Sequence, residues 1–495
     1  MMSDSNSSAV QATEAVPTGV GPAPGGGSLA WNQPGFANLW GLATAKDSLK
    51  SWLQRKSFSS FILTRWFFAF YMAVSALNGY LVFNRTLTAG REVEIPSFPI
   101  LTAIALLLVL GTTKERSQGT YFWAAWTFWI MVTLFGFVNA QSVNEDNYRL
   151  VIQVIIKSWI GIIGVPWMAF RVISPEKLPA YSKYLVLLVA VGSIISLMQS
   201  YNSDWFSYIR DNKTTLRGGG LWENPNPAGM TMMFAMLLLR LCTWRSKWVK
   251  WTVYLVILAG FIGTFSRGAF AGYIVAEMVY LLIVRDFKRF LLGGMLLMMF
   301  LATWITVGFM VENNTIKVEN KDIRERMMTF SKLVSGKASE ELETGRMYLW
   351  RAAMQDVLAE GNLLFGLGHL GMVRSKTLGL SPHNDYIQYF ADSGLLGLLA
   401  FLTFLTSMVV IFLRCKDRQI SATSVAMVVG LAVYGFSSNS LFLYPMIGPF
   451  FAIFVMWTYY SKEYPGAEKV NRLKVSLARS IAASAPPRPS PEATP

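Results

Sequence analysis

The chain reads as an all-α integral membrane protein with about twelve transmembrane helices. Three observations predict this. Of its 495 residues, 53% are hydrophobic and only 15% charged, against about 45–50% and about 25% in soluble domains. Apolar runs of the length a bilayer demands, about 18 residues or more, recur from residue 61 to residue 460. Lys and Arg concentrate in alternate connections between those runs, as they do on the cytoplasmic side of a membrane. The formal charge of +15 is thereby explained by orientation, and no nucleic acid is needed as a partner.

Taken in order, the apolar segments are 61–83, 98–112, 120–139, 150–170, 184–200, 227–243, 250–265, 269–284, 290–311, 394–413, 420–440 and 446–461. If the basic flank Lys46, Lys50, Arg55 and Lys56 stays inside, the inside loops carry Lys114/Arg116, Arg171/Lys177/Lys183, Arg240/Arg245/Lys247/Lys250, Arg285/Lys288/Arg289 and Arg414/Lys416/Arg418. The outside connections are mixed at 84–97, acidic at 140–148 and uncharged at 438–445. This asymmetry predicts that both termini are cytoplasmic.

Residues 1–60 and 462–495 are rich in Ser, Gly, Ala and Pro and read as disordered tails, without a signal-peptide core at the start. The first nine helices occupy 61–311, with an outer loop near 201–226. A large outer loop fills 312–382, and the last three helices occupy 383–461. Long translocated loops are where function concentrates. Within the second, 344–359 has Met347, Trp350, Met354 and Val357/Leu358 at helical spacing. That amphipathic helix is expected either to lie on the outer membrane surface or to cap the bundle. Cys242 and Cys415 form no CxxC pair or metal cluster and read as structural.

Only two histidines occur, His369 and His383, both in the outer loop. His383 lies in Ser381-Pro382-His383-Asn384-Asp385, where Ser381 can cap and Pro382 can open a helix leading toward Gly394. A helix N-terminus disfavours imidazolium while Asp385 opposes that, so a neutral imidazole can accept a proton there. By residue chemistry alone His383 is either a base or a structural hydrogen-bonder, and His369, between glycines, reads as a loop or hinge residue.

Three arginines share that side. Arg217 opens Arg217-Gly218-Gly219-Gly220-Leu221, whose glycines permit close backbone approach to an anion. Next to it, Asn226 is the expected cap and Pro227 the first residue of the following helix. Arg267 lies in the tight turn Thr264-Phe265-Ser266-Arg267-Gly268, and Arg346 begins the amphipathic helix. A guanidinium fork matches phosphate oxygens, which suits a diphosphate leaving group; pairing with Asp204, Glu223, Glu343 or lipid head groups is the structural alternative. The chain has no Walker loop, dinucleotide fingerprint, HExxH or outer-loop DxD, which disfavours nucleotide and metal chemistry, and no cofactor is expected.

His383-Asn384, nine residues, then Gly394-Leu395-Leu396-Gly397 resembles the H[NSQ]x9Gxx[GTY] pattern of the bacterial O-antigen ligase and polymerase superfamily. Arg346, Trp350 and Gly366-Leu367-Gly368 resemble the stretch that precedes it. Arg217-Gly218-Gly219-Gly220-Leu221 fits the family's Rx3L motif, and Ser266-Arg267-Gly268-Ala269 is similar to its SRGA turn. The resemblance covers about residues 60–460. It implies a metal-independent, inverting glycosyltransferase of the C-type membrane architecture in the bacterial inner membrane. Such an enzyme takes glycan from undecaprenyl diphosphate and joins it to an acceptor hydroxyl. Carried over, His383 is the base and Arg217, Arg267 and, less securely, Arg346 bind the diphosphate, with Asn384, Gly394 and Gly397 in support. The expected reading is a polymerase of exopolysaccharide, capsule or O-antigen, with a ligase to lipid A–core as the alternative. A lipid-linked glycan flippase is the reading from another class. Donor, acceptor, membrane lipids, a flippase and a chain-length regulator are the expected partners. The absence of a soluble C-terminal domain lowers the expectation of a protein acceptor.

Overall fold

The computed structural model describes residues 62–77, 97–112, 120–138, 145–202, 218–222, 224–317, 346–359, 362–369, 382–438 and 446–463, with isolated positions between them. The chain divides into Met1–Phe58 and Ser59–Pro495, and all described residues belong to the second unit. The tail expected over 1–60 lies outside the described residues, as does the tail 462–495 after Glu463.

In chain order the helices are α1 (Ile62–Ala76), α2 (Ser97–Thr112), α3 (Thr120–Val138), α4 (Glu145–Trp159), α5 (Val165–Val172), α6 (Leu178–Tyr201), α7 (Pro225–Leu238), α8 (Lys247–Gly263), α9 (Arg267–Val284), α10 (Phe287–Glu312), α11 (Arg346–Ala359), α12 (Asp385–Leu413), α13 (Arg418–Gly435) and α14 (Ile447–Glu463). Among the described residues there is no strand. Each of the twelve apolar segments contains helix among its described residues. Five rods meet both the length and the hydropathy needed to cross a membrane: Thr120–Val138, Val151–Val172, Leu178–Tyr201, Arg267–Val284 and Asp385–Leu413. The second of these runs through a π turn, Ile160–Gly164, between α4 and α5. Tyr121 donates to the Ile162 carbonyl in that turn at 2.5 Å, so the irregular backbone is buried against protein.

The surface is that of a membrane protein. Trp123 is 76% exposed, Leu107 68% and Met298 67%, an outward apolar face that hydrocarbon accommodates and water does not. At the centre runs α7, buried at every position from Pro227 to Leu238, as expected of a helix apolar all round. Between helices, small residues replace the hydrophobic drive that lipid removes. Gly268, Gly272 and Ala276 form a seam along α9 that meets α13 backbone to backbone. A Cβ on Gly272 would stand 2.6 Å from the Gly430 carbonyl oxygen, and one on Gly430 would stand 3.0 Å from that of Gly272. On the other side of α7, Gly260 of α8 meets Ser193 of α6 in the same way.

The bundle has two chemically different ends. At one end, the C-termini of α3, α6, α8 and α13 meet the N-termini of α7, α9 and α12. At the other end basic residues collect. Arg240 pairs with Glu277 and stacks on Tyr280, Gln419 donates to the Arg240 carbonyl at 3.0 Å, Arg418 donates to the Ile283 carbonyl at 2.5 Å, and Lys183 lies over Trp244. Both cysteines are buried thiols at this end, Cys415 within 2.7 Å of the Ser461 hydroxyl.

Two expected caps are corrected. Helix α7 is capped by Asn224, whose side chain accepts from Asn226 N–H at 2.9 Å, with Pro225 as first helical residue. Asn226 is instead inside the helix, where its side chain accepts from the Ser266 hydroxyl at 3.1 Å. Helix α12 is capped by Asn384 rather than opened by Pro382.

Candidate functional site

The site is built on the start of α12. Asn384, 2% exposed, turns its side-chain oxygen onto the N–H groups of Tyr386 (3.0 Å) and Ile387 (3.2 Å), two of the donors that a helix N-terminus leaves unmet. Asp385, fully buried, follows in the first turn. His383 precedes the cap with φ of 51°, in the left-handed region, and its side chain is exposed. That backbone conformation is costly for a residue with a Cβ and is met where surroundings over-determine it. One determinant is explicit. Trp350 of α11 donates its indole N–H to the carbonyl of Pro382, the residue before His383, at 2.9 Å.

Helix α11 is therefore a buttress of α12. Ala353 and Val357 are buried with Phe390, Ala391 and Leu367 in a small core of their own, while Met354 and Leu358 remain exposed. Arg346–Ala359 packs against the bundle through Ala353 with Val357 and Trp350 of the expected stripe, while Met354 and Leu358 of that stripe face outward. The backbone of Arg346 begins this helix.

A second device fixes the same region. Helix α12 breaks at Gly394 (φ 66°, ψ −163°). Ala391 and Leu395 would be partners in an unbroken helix. Instead the Ala391 carbonyl accepts from Leu367 N–H at 2.7 Å, and Leu395 and Leu396 donate to the carbonyls of Leu363 (2.8 Å) and Leu364 (3.3 Å). Gly366, at φ 70°, permits the contact, because a Cβ there would stand 2.5 Å from the Ala391 oxygen; a Cβ on Gly394 would overlap the Leu364 carbonyl. At Gly397 a Cβ would overlap that of Ser393. Gly394 and Gly397 thus shape the backbone behind the histidine. His369 ends the clip: it is 5% exposed, its N–H donates to the Gly136 carbonyl at 2.9 Å, and its ring meets Phe137 of α3. It is a loop residue packed against α3.

Arg267 is the first residue of α9, exposed, two positions after Phe265, which also has a positive φ of 48°. Its neighbour Gly268 packs against Ser437 and Tyr434 at the end of α13, and Gly435 of the same end packs against Asp385, its Cβ position 3.6 Å from the carboxylate. Gly268, next to Arg267, and Asp385, two residues after His383, thus both meet the stretch 434–437 at the end of α13. Arg217 lies outside the described residues. The adjacent Gly218 N–H donates to the Gly263 carbonyl at 3.1 Å, and Gly220 N–H donates to Gln199 at 2.8 Å. These two groups are engaged by protein, and Gly218 and Gly220 pack closely against α6. The side chain of Arg346 is likewise outside what is described. Among the described residues no three His, Cys, Asp or Glu side chains converge.

Residues 252–402 match the family model described as O-antigen ligase. Over that span the chain is similar to the O-antigen ligase family, which supports the resemblance to the O-antigen ligase and polymerase superfamily. The matched segment begins within α8 and ends within α12, so it contains Arg267, Arg346, Trp350, the Gly366–Gly394 clip and His383, and it leaves Arg217 outside. No curated protein matches the sequence. Trp350 and Asp385 are the residues whose part was not read from the sequence as contacts. The tryptophan stood in an apolar stripe and the acid at a helix start beside His383, and neither position names a packing partner in the sequence.

Proposed function

We propose that the chain is a polysaccharide polymerase of the C-type membrane architecture with twelve spans. It works at the periplasmic face of the bacterial inner membrane, with both termini cytoplasmic. The glycan leaves undecaprenyl diphosphate and joins a hydroxyl of another lipid-linked repeat, building exopolysaccharide, capsule or O-antigen. His383 takes the proton of the acceptor hydroxyl as its oxygen attacks the anomeric carbon. The bond from that carbon to the diphosphate breaks, its electron pair leaves with the diphosphate, and Arg267, Arg217 and Arg346 neutralise the departing charge. A single displacement inverts the anomeric centre and asks for no metal. The observation that carries this reading is the exposed His383, held at a strained backbone angle by the Asn384 cap and the Trp350 contact, at the same bundle end as Arg267.

The test is to incubate the purified chain with lipid-linked repeats alone. Growth of long chains supports the polymerase. No product until lipid A–core is added identifies a ligase, and no product with either acceptor, together with movement of lipid-linked glycan across vesicles, identifies a flippase.

A further inference from the structure

At the basic end, away from His383, a cavity of about 560 Å³ opens between the ends of α9 and α12 and the start of α13. Its volume lies within the range of about 300–1,000 Å³ typical of small-ligand sites. Its lining is divided by chemistry. Leu282, Ile283 and Leu413 form an apolar wall; Arg285, Lys416 and Arg418 form the rim. Leu282 and Leu413 are 47% and 51% exposed, so the wall opens outward from the bundle. Arg285 is held at φ 61° at the end of α9, and Arg418 is anchored by its hydrogen bond to the Ile283 carbonyl. The carboxylates of the two connecting loops have other partners: Asp286 caps α10 and pairs with Arg289 at 3.2 Å, and Asp417 caps α13 through Ile420 N–H at 2.9 Å. The site therefore presents three cations over an apolar floor.

We infer that this cavity binds an anionic phospholipid, its phosphate on Arg285, Lys416 and Arg418 and the start of its acyl chain on Leu282, Ile283 and Leu413. A soluble phosphate ester would need the cations but not the wall, and a zwitterionic lipid would bring its own cation to a rim that already has three. Basic clefts between transmembrane helices suit anionic head groups for this reason.

The full-length chain, purified and stripped of lipid, is titrated in native mass spectrometry with phosphatidylglycerol, with phosphatidylcholine of the same acyl chains, and with glycerol 3-phosphate. Phosphatidylglycerol is expected to bind about tenfold more tightly than phosphatidylcholine, and Arg285→Gln/Lys416→Gln to remove most of that preference. This pair leaves the Arg418 anchor intact. Should the double variant fail to fold, Lys416→Glu alone, in an exposed loop, must still lower the preference. Equal binding of the two lipids, or a preference unchanged in the variants, overturns the inference. Displacement of bound phosphatidylglycerol by glycerol 3-phosphate at comparable concentration also overturns it, since the occupant is then a soluble phosphate ester.

Discussion

His383 combines exposure with a backbone angle that costs on the order of 1–3 kcal/mol, and such strain persists only where the surrounding contacts hold it. If it is the base, His383→Ala lowers chain growth by about 10²–10⁴-fold, while the melting temperature in detergent stays within a few degrees because the side chain buries little. Arg267 makes a different prediction. Arg267→Lys keeps the charge and loses the fork, so it is expected to retain more donor use than Arg267→Ala; equal activity of the two would remove the diphosphate role. These positions were legible because histidine is scarce and because an arginine in a tight turn at a span's end stands out. The caps were less legible. Asn224-Pro225-Asn226-Pro227 offers two successive Asn-Pro starts with identical local chemistry. What decides between them is the Ser266 hydroxyl, forty residues away, which occupies the second asparagine. Likewise the positive φ of His383 rules out a helix that begins at Pro382 and moves the cap to Asn384.

Helix α12 and the loop 362–369 form one unit joined through main chain. Gly394→Ala is expected to lower stability by about 1–3 kcal/mol for the glycine-only backbone angle alone, and by more for the overlap with the Leu364 carbonyl, read as a drop in melting temperature. Trp350→Phe keeps the aromatic bulk and removes one hydrogen bond, a loss of about 1 kcal/mol. Its expected signature is slower chain growth with little change in melting temperature, because what it frees is the Pro382 carbonyl beside the histidine. The glycines of both motifs were visible in the sequence. Their partnership was not, because pairing between backbones leaves no side-chain pattern to read.

The contacts of Gly136, Gly263, Gly268 and Gly435 gather at one end of the bundle, and those of Arg240, Arg418 and Lys183 at the other. The side of the membrane is tested by thiol labelling, for which the two native cysteines, both buried, give little background. Asn313→Cys is expected to react with an impermeant maleimide in intact cells and Lys416→Cys only after permeabilisation. The twelve apolar stretches were legible from composition, but the α9–α13 seam was not, since Gly272 and Gly430 are apart in sequence and their meeting is tertiary. The exchange of hydrogen bonds at the α12 break also governs how relatives can be recombined. A chimera that takes the region around Gly394 from one parent and the Gly366 loop from another would set donors and acceptors from two ancestries against each other in a water-poor setting. Grafts meant to swap acceptor preference should therefore carry 362–369 and 390–397 as a single cassette.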